Sequence, residues 1–435
     1  MRKKIFNKSV KFFISSMVSI LFLGHYNYVQ ATIFQNDIQQ NIQSYVEFKG
    51  LVMDSKTKSP LVYADLSVNG TNISTITNTE GKFLLKVPKN YLDKKVTISF
   101  LGYHKQQIPL LDFKARNTKI LLNVLVTKLT QVNVNNFKDA ETLVRETLKR
   151  RGENYYSNQA IMTAFYRETI KKRNKNASLS EAVVEVYKQP CKSSKKDDVK
   201  LIKARKSTNY SKLDTLALKL QGGPFSTLYA DVIKYPDYIF TENNLSAYDF
   251  NFDTSTQIND NVVYVVNFKQ LPNIQTPLYY GKLYIDAESL ALTSAVYKLN
   301  VENKKLSSEM FVRKKPRKVT AYPTEASYRV DYKTKNGKWH YGYSNIQLTF
   351  KVKWETKLFS STYTLNSEMV ITDWEQNTTG IDKPKDRLKP TVILSDEVSG
   401  FSDPEFWGEY NIIEPEKSIE SAIKKISKQL KRNGA

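Results

Sequence analysis

The feature that most constrains this chain is the stretch from Ser327 to Trp354. Two runs, Ser327–Lys335 and Lys338–Trp354, alternate apolar or aromatic residues with polar ones, and only Asn336-Gly337 separates them. An Asn-Gly pair tolerates the positive φ angles of a tight two-residue turn whose twist matches antiparallel strands. A hairpin this long cannot bury one face alone, so it requires more strands beside it. Ile161–Lys171, Ser180–Gln189, Val262–Gln270, Lys282–Ile285, Ala291–Leu299 and Tyr363–Trp374 read as those strands. Turns are expected at Lys172–Ala177 and Asp286–Ser289. The 27 tyrosines and 21 phenylalanines favour the same reading, because aromatic side chains pack well on pleated surfaces. The expected architecture is mostly β, with a large antiparallel domain over residues 139–400 and few helices.

Helical signals are sparse. Asp139 is placed to cap a helix from Ala140 to about Arg151, with Leu143, Val144, Thr147 and Leu148 on one face and Gly152 ending it. Leu213–Leu220 reads as helical, after which Gly222-Gly223-Pro224 breaks the chain. Past Pro415, the residues Ile419, Ala422, Ile423, Ile426 and Leu430 share one apolar helical face, giving a helical tail over 401–435.

Ahead of the large domain, residues 45–135 form a unit of short strands and turns. Strands are expected at Val46–Met53, Ala64–Val68, Ile73–Thr77, Lys82–Val87, Val96–Phe100 and Ile120–Val126, with a tight hairpin at Asn69-Gly70. A polar joint, Gln131–Lys138, follows. Gly50-Leu-Val-Met-Asp54, Ser59-Pro-Leu-Val-Tyr-Ala64, Val68-Asn-Gly-Thr71, Thr77-Asn-Thr-Glu-Gly-Lys-Phe83 and Ser99-Phe-Leu-Gly-Tyr103 together resemble the carboxypeptidase-regulatory-like domain. That resemblance implies a seven-stranded prealbumin-like β-sandwich, of a kind common in Bacteroidetes-type envelope proteins and similar to the N-terminal extension of their TonB-dependent receptors. The family often carries Asp where this chain has Asn78, which weakens the case for calcium there. Asp403-Pro-Glu-Phe-Trp-Gly-Glu-Tyr-Asn-Ile-Ile-Glu-Pro415 resembles the tail of such envelope proteins. Gly281-Lys-Leu-Tyr-Ile-Asp286 with Ala291-Leu-Thr-Ser-Ala-Val296 resembles the hairpins of lipoprotein-carrier-like half-barrels, which wrap a sheet around a helical plug and hold an apolar ligand.

Residues 1–31 read as an export signal. Arg2, Lys3, Lys4, Lys8 and Lys11 precede the apolar run Phe12–Gly24, and Val29-Gln30-Ala31 offers small residues for cleavage. The run is too short for a comfortable membrane span, an uncleaved anchor being the alternative. The expected location is periplasmic or associated with the outer membrane. Neither a receptor plug nor a terminal apolar strand is evident, so a TonB-dependent barrel is not expected. The formal charge is +23, dominated by lysine. Nucleic acid binding would need an Arg-rich or aromatic reading module, and none is evident. The charge reads instead as a solvated lysine surface or as attraction to anionic envelope polymers and lipid phosphates. Cys191 is the one cysteine, so no intramolecular disulfide or thiolate metal cluster can form.

Catalytic signatures are not evident either. A zinc peptidase needs two His and a carboxylate. Outside the signal only His104 and His340 remain, neither with a Glu or His at ligand spacing. No G-x-S-x-G elbow, phosphate loop or dinucleotide fingerprint occurs. The reading is a non-catalytic envelope binding or accessory protein without cofactor or metal. Its sandwich would dock, and its large domain would hold an apolar or glycan ligand. A scaffold acting through protein partners only is the alternative, and a hydrolase built on His104 or His340 a third class. Phe225, Tyr229, Tyr235, Tyr238 and Phe240 are the candidate binding residues, weighed against ordinary core packing. The run Arg313-Lys-Lys-Pro-Arg-Lys318 is a solvated loop or a contact for anionic lipid or glycan.

Overall fold

Short strands bounded by turn residues build the first part of the chain. They are β1 (Tyr45–Asp54), β2 (Asp65–Val68), β3 (Ser74–Ile76), β4 (Lys82–Pro88), β5 (Lys95–Ser99), β6 (Gln106–Pro109) and β7 (Thr118–Leu122). The computed structural model describes residues 44–125, 137–173, 175–208, 220–240, 244–258, 261–397 and 406–416. The expected signal at 1–31, most of the 131–138 joint, the helix before Leu220 and the helix beyond Pro415 lie outside them. Within the described tail, residues 406–409 form a turn and 410–416 take no regular secondary structure, helix included.

The seven strands form two facing sheets of order β4-β1-β7 and β3-β2-β5-β6, with β1 and β7 parallel. The alternation in β1 buries Phe48 and Val52, and Phe83, Leu85, Ile98 and Ile120 of the other strands are buried as well. β6 was not expected, because Gln106-Gln107-Ile108-Pro109 offers almost no apolar pattern. Asn69-Gly70 does not make a two-residue turn: β2 ends at Val68 and β3 begins at Ser74, with Gly70 at φ 73°.

The second part is one antiparallel sheet of ten strands. These are β8 (Ala160–Lys172), β9 (Lys175–Lys188), β10 (Asp198–Thr208), β11 (Tyr248–Ile258), β12 (Asn261–Gln270), β13 (Tyr279–Asp286), β14 (Leu292–Leu299), β15 (Val319–Lys335), β16 (Lys338–Trp354) and β17 (Ser361–Gln376). Their order is β10-β9-β8-β17-β16-β15-β14-β13-β12-β11, so two meanders meet where β17 pairs with β8. The fold is mostly β, as expected. Asn336 and Gly337 take φ of 50° and 74° between the paired Lys335 and Lys338, the turn their chemistry favours. The β8–β9 turn is tighter than expected, since Lys172 already pairs with Lys175.

β10 and β11 occupy the two edges, and neither is among the strands expected from the sequence. β10 (DVKLIKARKST) is lysine-rich and β11 (YDFNFDTSTQI) largely polar, as edges exposed to water tend to be. That composition hides them from a search for apolar runs.

Each face of the sheet has its own core. Along β8, Met162, Ala164 and Tyr166 enter one cluster while Phe165 enters another. Gly342 is an extra residue in β16, since Tyr341 pairs with Tyr332 but Tyr343 with Asp331. This bulge puts Trp339 and Tyr341 on the first face and Tyr343 on the second, despite their equal spacing.

The first face is covered by residues 220–240 and 244–248 and by α1 (Ala140–Lys149). Asp139 caps α1, its Oδ1 accepting from the Thr142 amide at 2.7 Å, and Leu143, Val144 and Thr147 are buried as the pattern required. Gly152 does not end α1; it lies in a following turn of helix, α2 (Arg151–Asn154). The second face packs against the sandwich and residues 406–416. Ile76 and Leu84 meet Phe165, Val183, Tyr343 and Val370, with Trp407, Ile412 and Ile413 between.

Candidate functional site

The candidate aromatic residues sit on the segment that fills the first face. Gly222 and Gly223, at φ 108° and 48°, turn the chain into α3 (Pro224–Leu228), whose first residue is proline. Phe225 and Phe240 are 1% and 2% exposed, so both are core side chains. Tyr235 is also buried, Tyr229 is half-buried, and Tyr238 is 49% exposed. Tyr229 stands 5.2 Å from Tyr235 and 5.2 Å from Tyr238, with Phe225 6.3 Å behind it. Four of the candidates therefore form one chain of rings from the core to the surface. Phe240 belongs to a separate group with Tyr248, Phe250 and Phe268, 5.0 Å from the last.

Behind these rings lies a buried ionic network. Lys188 Nζ is 2.7 Å from Asp197 Oδ2 and 2.7 Å from Asp231 Oδ2. It also lies over the rings of Tyr235 and Tyr341, at 5.6 and 5.3 Å. Burial opposes its charge, but the two carboxylates outweigh burial and hold the ammonium above its ordinary range. Asp231 Oδ1 accepts from the Tyr332 hydroxyl at 2.8 Å and from the amides of Ile233 and Lys234 at 3.1 Å. Lys234 Nζ donates to the carbonyls of Pro190 and Ser193.

A cavity of about 30 Å³ adjoins the network, lined in part by Tyr155, Cys191, Asp231, Tyr332 and His340. It has room for about one or two waters and no organic ligand. Burial pushes the Cys191 thiol up, which makes it a poor nucleophile. Burial, helped by Lys333 and Lys335, lowers His340 to about 3, so its ring is neutral at neutral pH. That ring packs 4.9 Å from Trp374. His104 lies exposed on the sandwich.

A second network sits on the opposite face. Glu181 binds Arg167 Nε through Oε1 at 2.7 Å and Arg205 Nε through Oε2 at 2.7 Å. Arg167 also reaches Glu368 and donates to the Ile413 carbonyl at 2.7 Å, while the Arg205 guanidinium lies 4.9 Å from the Trp407 ring. Burial opposes the charge on Glu181, but Arg167 and Arg205 keep its carboxyl below the ordinary range. The neighbouring Glu168 faces the first core, and burial raises it to about 7. Sequence reading missed both networks, since their members lie far apart along the chain. The available signal was a charged residue inside an apolar strand, as with Arg167 after Phe165-Tyr166 and Glu181 before Ala182-Val183-Val184.

Residues 406–416 join the two parts through backbone-directed bonds. Asn411 Oδ1 accepts from the Lys86 amide at 2.7 Å, and its Nδ2 donates to the Lys86 carbonyl at 2.9 Å. Asn78 Oδ1 accepts from the amides of Glu80 and Lys82, and its Nδ2 donates to the Glu414 carbonyl at 2.9 Å. An aspartate could not make that last bond, a physical reason for Asn at a position where the family often has Asp. Elsewhere, an open cleft of about 540 Å³ is lined by Lys269, Gln270, Tyr280, Asn300, Lys304 and Thr324, among others. Among the described residues no group of His, Cys, Asp or Glu gathers to hold a metal ion, and no helix is long and apolar enough to cross a membrane.

Two parallel-paired strands in a seven-stranded sandwich agree with the sequence resemblance, and residues 48–134 match the family model of the CarboxypepD_reg-like domain. This segment is a carboxypeptidase-regulatory-like domain. Among solved structures, a DUF1329 family protein from Desulfovibrio piger is 10% identical, with a TM-score of 0.24, covering 56% of this chain and 95% of its own. A putative outer membrane lipoprotein-sorting protein domain from Vibrio parahaemolyticus is 12% identical, with a TM-score of 0.25 and coverage of 56% and 93%. MucB is 10% identical, with a TM-score of 0.19 and coverage of 54% and 98%. Likeness at this level carries no weight on ligand or activity. No curated protein matches the chain.

Proposed function

We propose that this protein is a non-catalytic binding or accessory protein of the bacterial cell envelope, exported by residues 1–31, which takes a glycan on its surface. The observation that carries this reading is the filling of the large sheet's first face. Phe225, Leu228, Val232, Ile233 and Phe240 occupy the space over that face, against Val266, Leu283, Val330 and Met369. A half-barrel carrier would hold an apolar ligand in such a space, so binding moves outward to the end of the ring chain. Tyr238, backed by Tyr229, offers an aromatic shelf of the kind on which sugar rings stack. The buried charges of Lys188 and Glu181 are occupied by their ion-pair partners, which favours a structural over a catalytic role. The regulatory-like domain would act as the docking module.

Titration calorimetry of the chain without its signal, against neutral and acidic oligosaccharides, tests the proposal. Tyr238→Ala should weaken binding by about tenfold, the loss of one aromatic stacking contact. Failure of every oligosaccharide to bind would sink the reading. The open cleft beside Tyr280 supports a second site, because its volume falls within the range of ligand pockets. Sensitivity to Tyr280→Ala with indifference to Tyr238→Ala would place the sugar there instead.

A further inference from the structure

Three connections lie side by side at one end of the large sheet. The β16–β17 loop, residues 355–360, leaves Trp354, which pairs with Val319 at the start of β15. Its Glu355 amide donates to the Lys318 carbonyl at 3.1 Å, tying it to the connection that precedes β15. On the other flank, the Arg173 amide of the β8–β9 turn donates to the Thr362 carbonyl at 2.9 Å.

The middle loop carries an adjacent apolar pair turned to water. Leu358 is 83% exposed and Phe359 77% exposed. Single exposed apolar side chains are ordinary, but two large ones in succession at a hairpin end contribute nothing to this core. Met310, at the end of α4 (Lys304–Phe311), is half exposed as well.

Cations surround the pair. Arg313-Lys-Lys-Pro-Arg-Lys318 is exposed throughout on one side, Lys357 adjoins the pair, and Arg173 and Lys175 lie on the other side. The acidic residues within these three connections are Glu302, Glu309 and Glu355, outnumbered by the lysines and arginines. Lysines on separate loops act as independent point charges, which suits a fluid array of phosphates better than one fixed carboxylate geometry. An apolar anchor and a polybasic patch are also the two signals that stable membrane attachment requires together.

We infer that this end of the sheet docks on an anionic phospholipid bilayer, with Leu358 and Phe359 entering the interfacial layer and the flanking lysines and arginines contacting lipid phosphates. The inference goes beyond the glycan reading and stands on other residues, so variants here leave Tyr238 and Tyr280 intact.

The experiment is flotation of the chain without its signal on vesicles of equimolar phosphatidylcholine and phosphatidylglycerol, beside vesicles of phosphatidylcholine alone. The protein should float with the anionic vesicles, less so as salt rises, and poorly with the neutral ones. Leu358→Ser with Phe359→Ser should lower partitioning at least about tenfold. Lys314→Gln with Lys315→Gln should lower it about fivefold for each charge removed. All four side chains are exposed, so both variants should keep the wild-type melting profile, which circular dichroism checks. Equal flotation on the two vesicle types would overturn the inference, as would a serine variant that floats like the wild type. Binding to a soluble acidic protein or polysaccharide without flotation would assign the basic loops to a different partner and also overturn it.

Discussion

The two faces of the ten-stranded sheet are covered by different parts of the chain, and each joins an apolar cluster to a buried ionic network. On the first, residues 220–240 and 244–248 lay down phenylalanines, tyrosines and aliphatics, whose apolar area is removed from water around the network of Lys188, Asp197 and Asp231. On the second, over β8, β9 and β10, Ile76 and Leu84 of the sandwich meet an apolar cluster. Arg167, Glu181 and Arg205 form a network there that reaches residues 406–416, and Asn78 and Asn411 bond to backbone. An apolar interface tolerates small shifts, because its attraction is non-directional. A buried ionic interface does not, because each charge left without its partner carries its full desolvation cost. On the second face the network positions residues 406–416, which in turn bond to the sandwich at Asn78 and Lys86.

The sharpest way to break this contrast is to delete one group from each side. Glu181→Ala removes the carboxylate shared by two buried guanidinium groups and should cost about 3–5 kcal/mol in denaturant unfolding. Phe240→Ala should cost a similar 3–5 kcal/mol through lost burial and the cavity left behind. The two should differ on repair: Phe240→Leu recovers most of the loss, whereas Glu181→Gln, of the same shape but uncharged, recovers little. Full recovery by Glu181→Gln would show that shape, not charge, holds the second face.

A smaller effect tests Glu168, an acid held against the first core. Burial raises Glu168 from an ordinary 4.5 to about 7, so it is protonated in the native protein at mildly acidic pH. Its contribution to stability is complete below about pH 4.5 and is lost as pH rises toward about 7, up to about 3 kcal/mol. Glu168→Gln imitates the protonated form. Unfolding profiles should show the variant close to wild type at pH 4 and more stable by about 3 kcal/mol at pH 8. Parallel curves across that window would show that Glu168 is ionised in the native state. The smallest effect belongs to Asn411→Ala, about 1–2 kcal/mol for two backbone-directed bonds. It should show as faster hydrogen exchange at the Lys86 amide, with amides of the first core unchanged.

Legibility followed the same division. The aromatic run at 225–240 was visible because large apolar residues cluster in sequence as they do in space. Its outcome was split, with Phe225 and Phe240 inside and Tyr238 outside, because burial depends on which element lies above each ring. The central strands were visible through their period, whereas β10 and β11 were hidden by the polar composition that edges require. Lys188, Asp197 and Asp231 gave no local signal, since a lysine reads as surface until its partners arrive from two other segments.

By itself the sequence determined the antiparallel character of the large sheet, the Asn336-Gly337 turn, the capped helix at Asp139 and the presence of the regulatory-like domain. Each of these rests on neighbours along the chain: an alternation, a turn dipeptide, a cap, a string of short motifs. Tertiary structure alone decided which face each side chain of β16 presents beyond the Gly342 bulge, how the buried charges pair, and that residues 406–416 run between the sandwich and the sheet. Those outcomes depend on groups hundreds of residues apart, as Asn78 and Glu414 are. Their energies arise only once water has been excluded from between them.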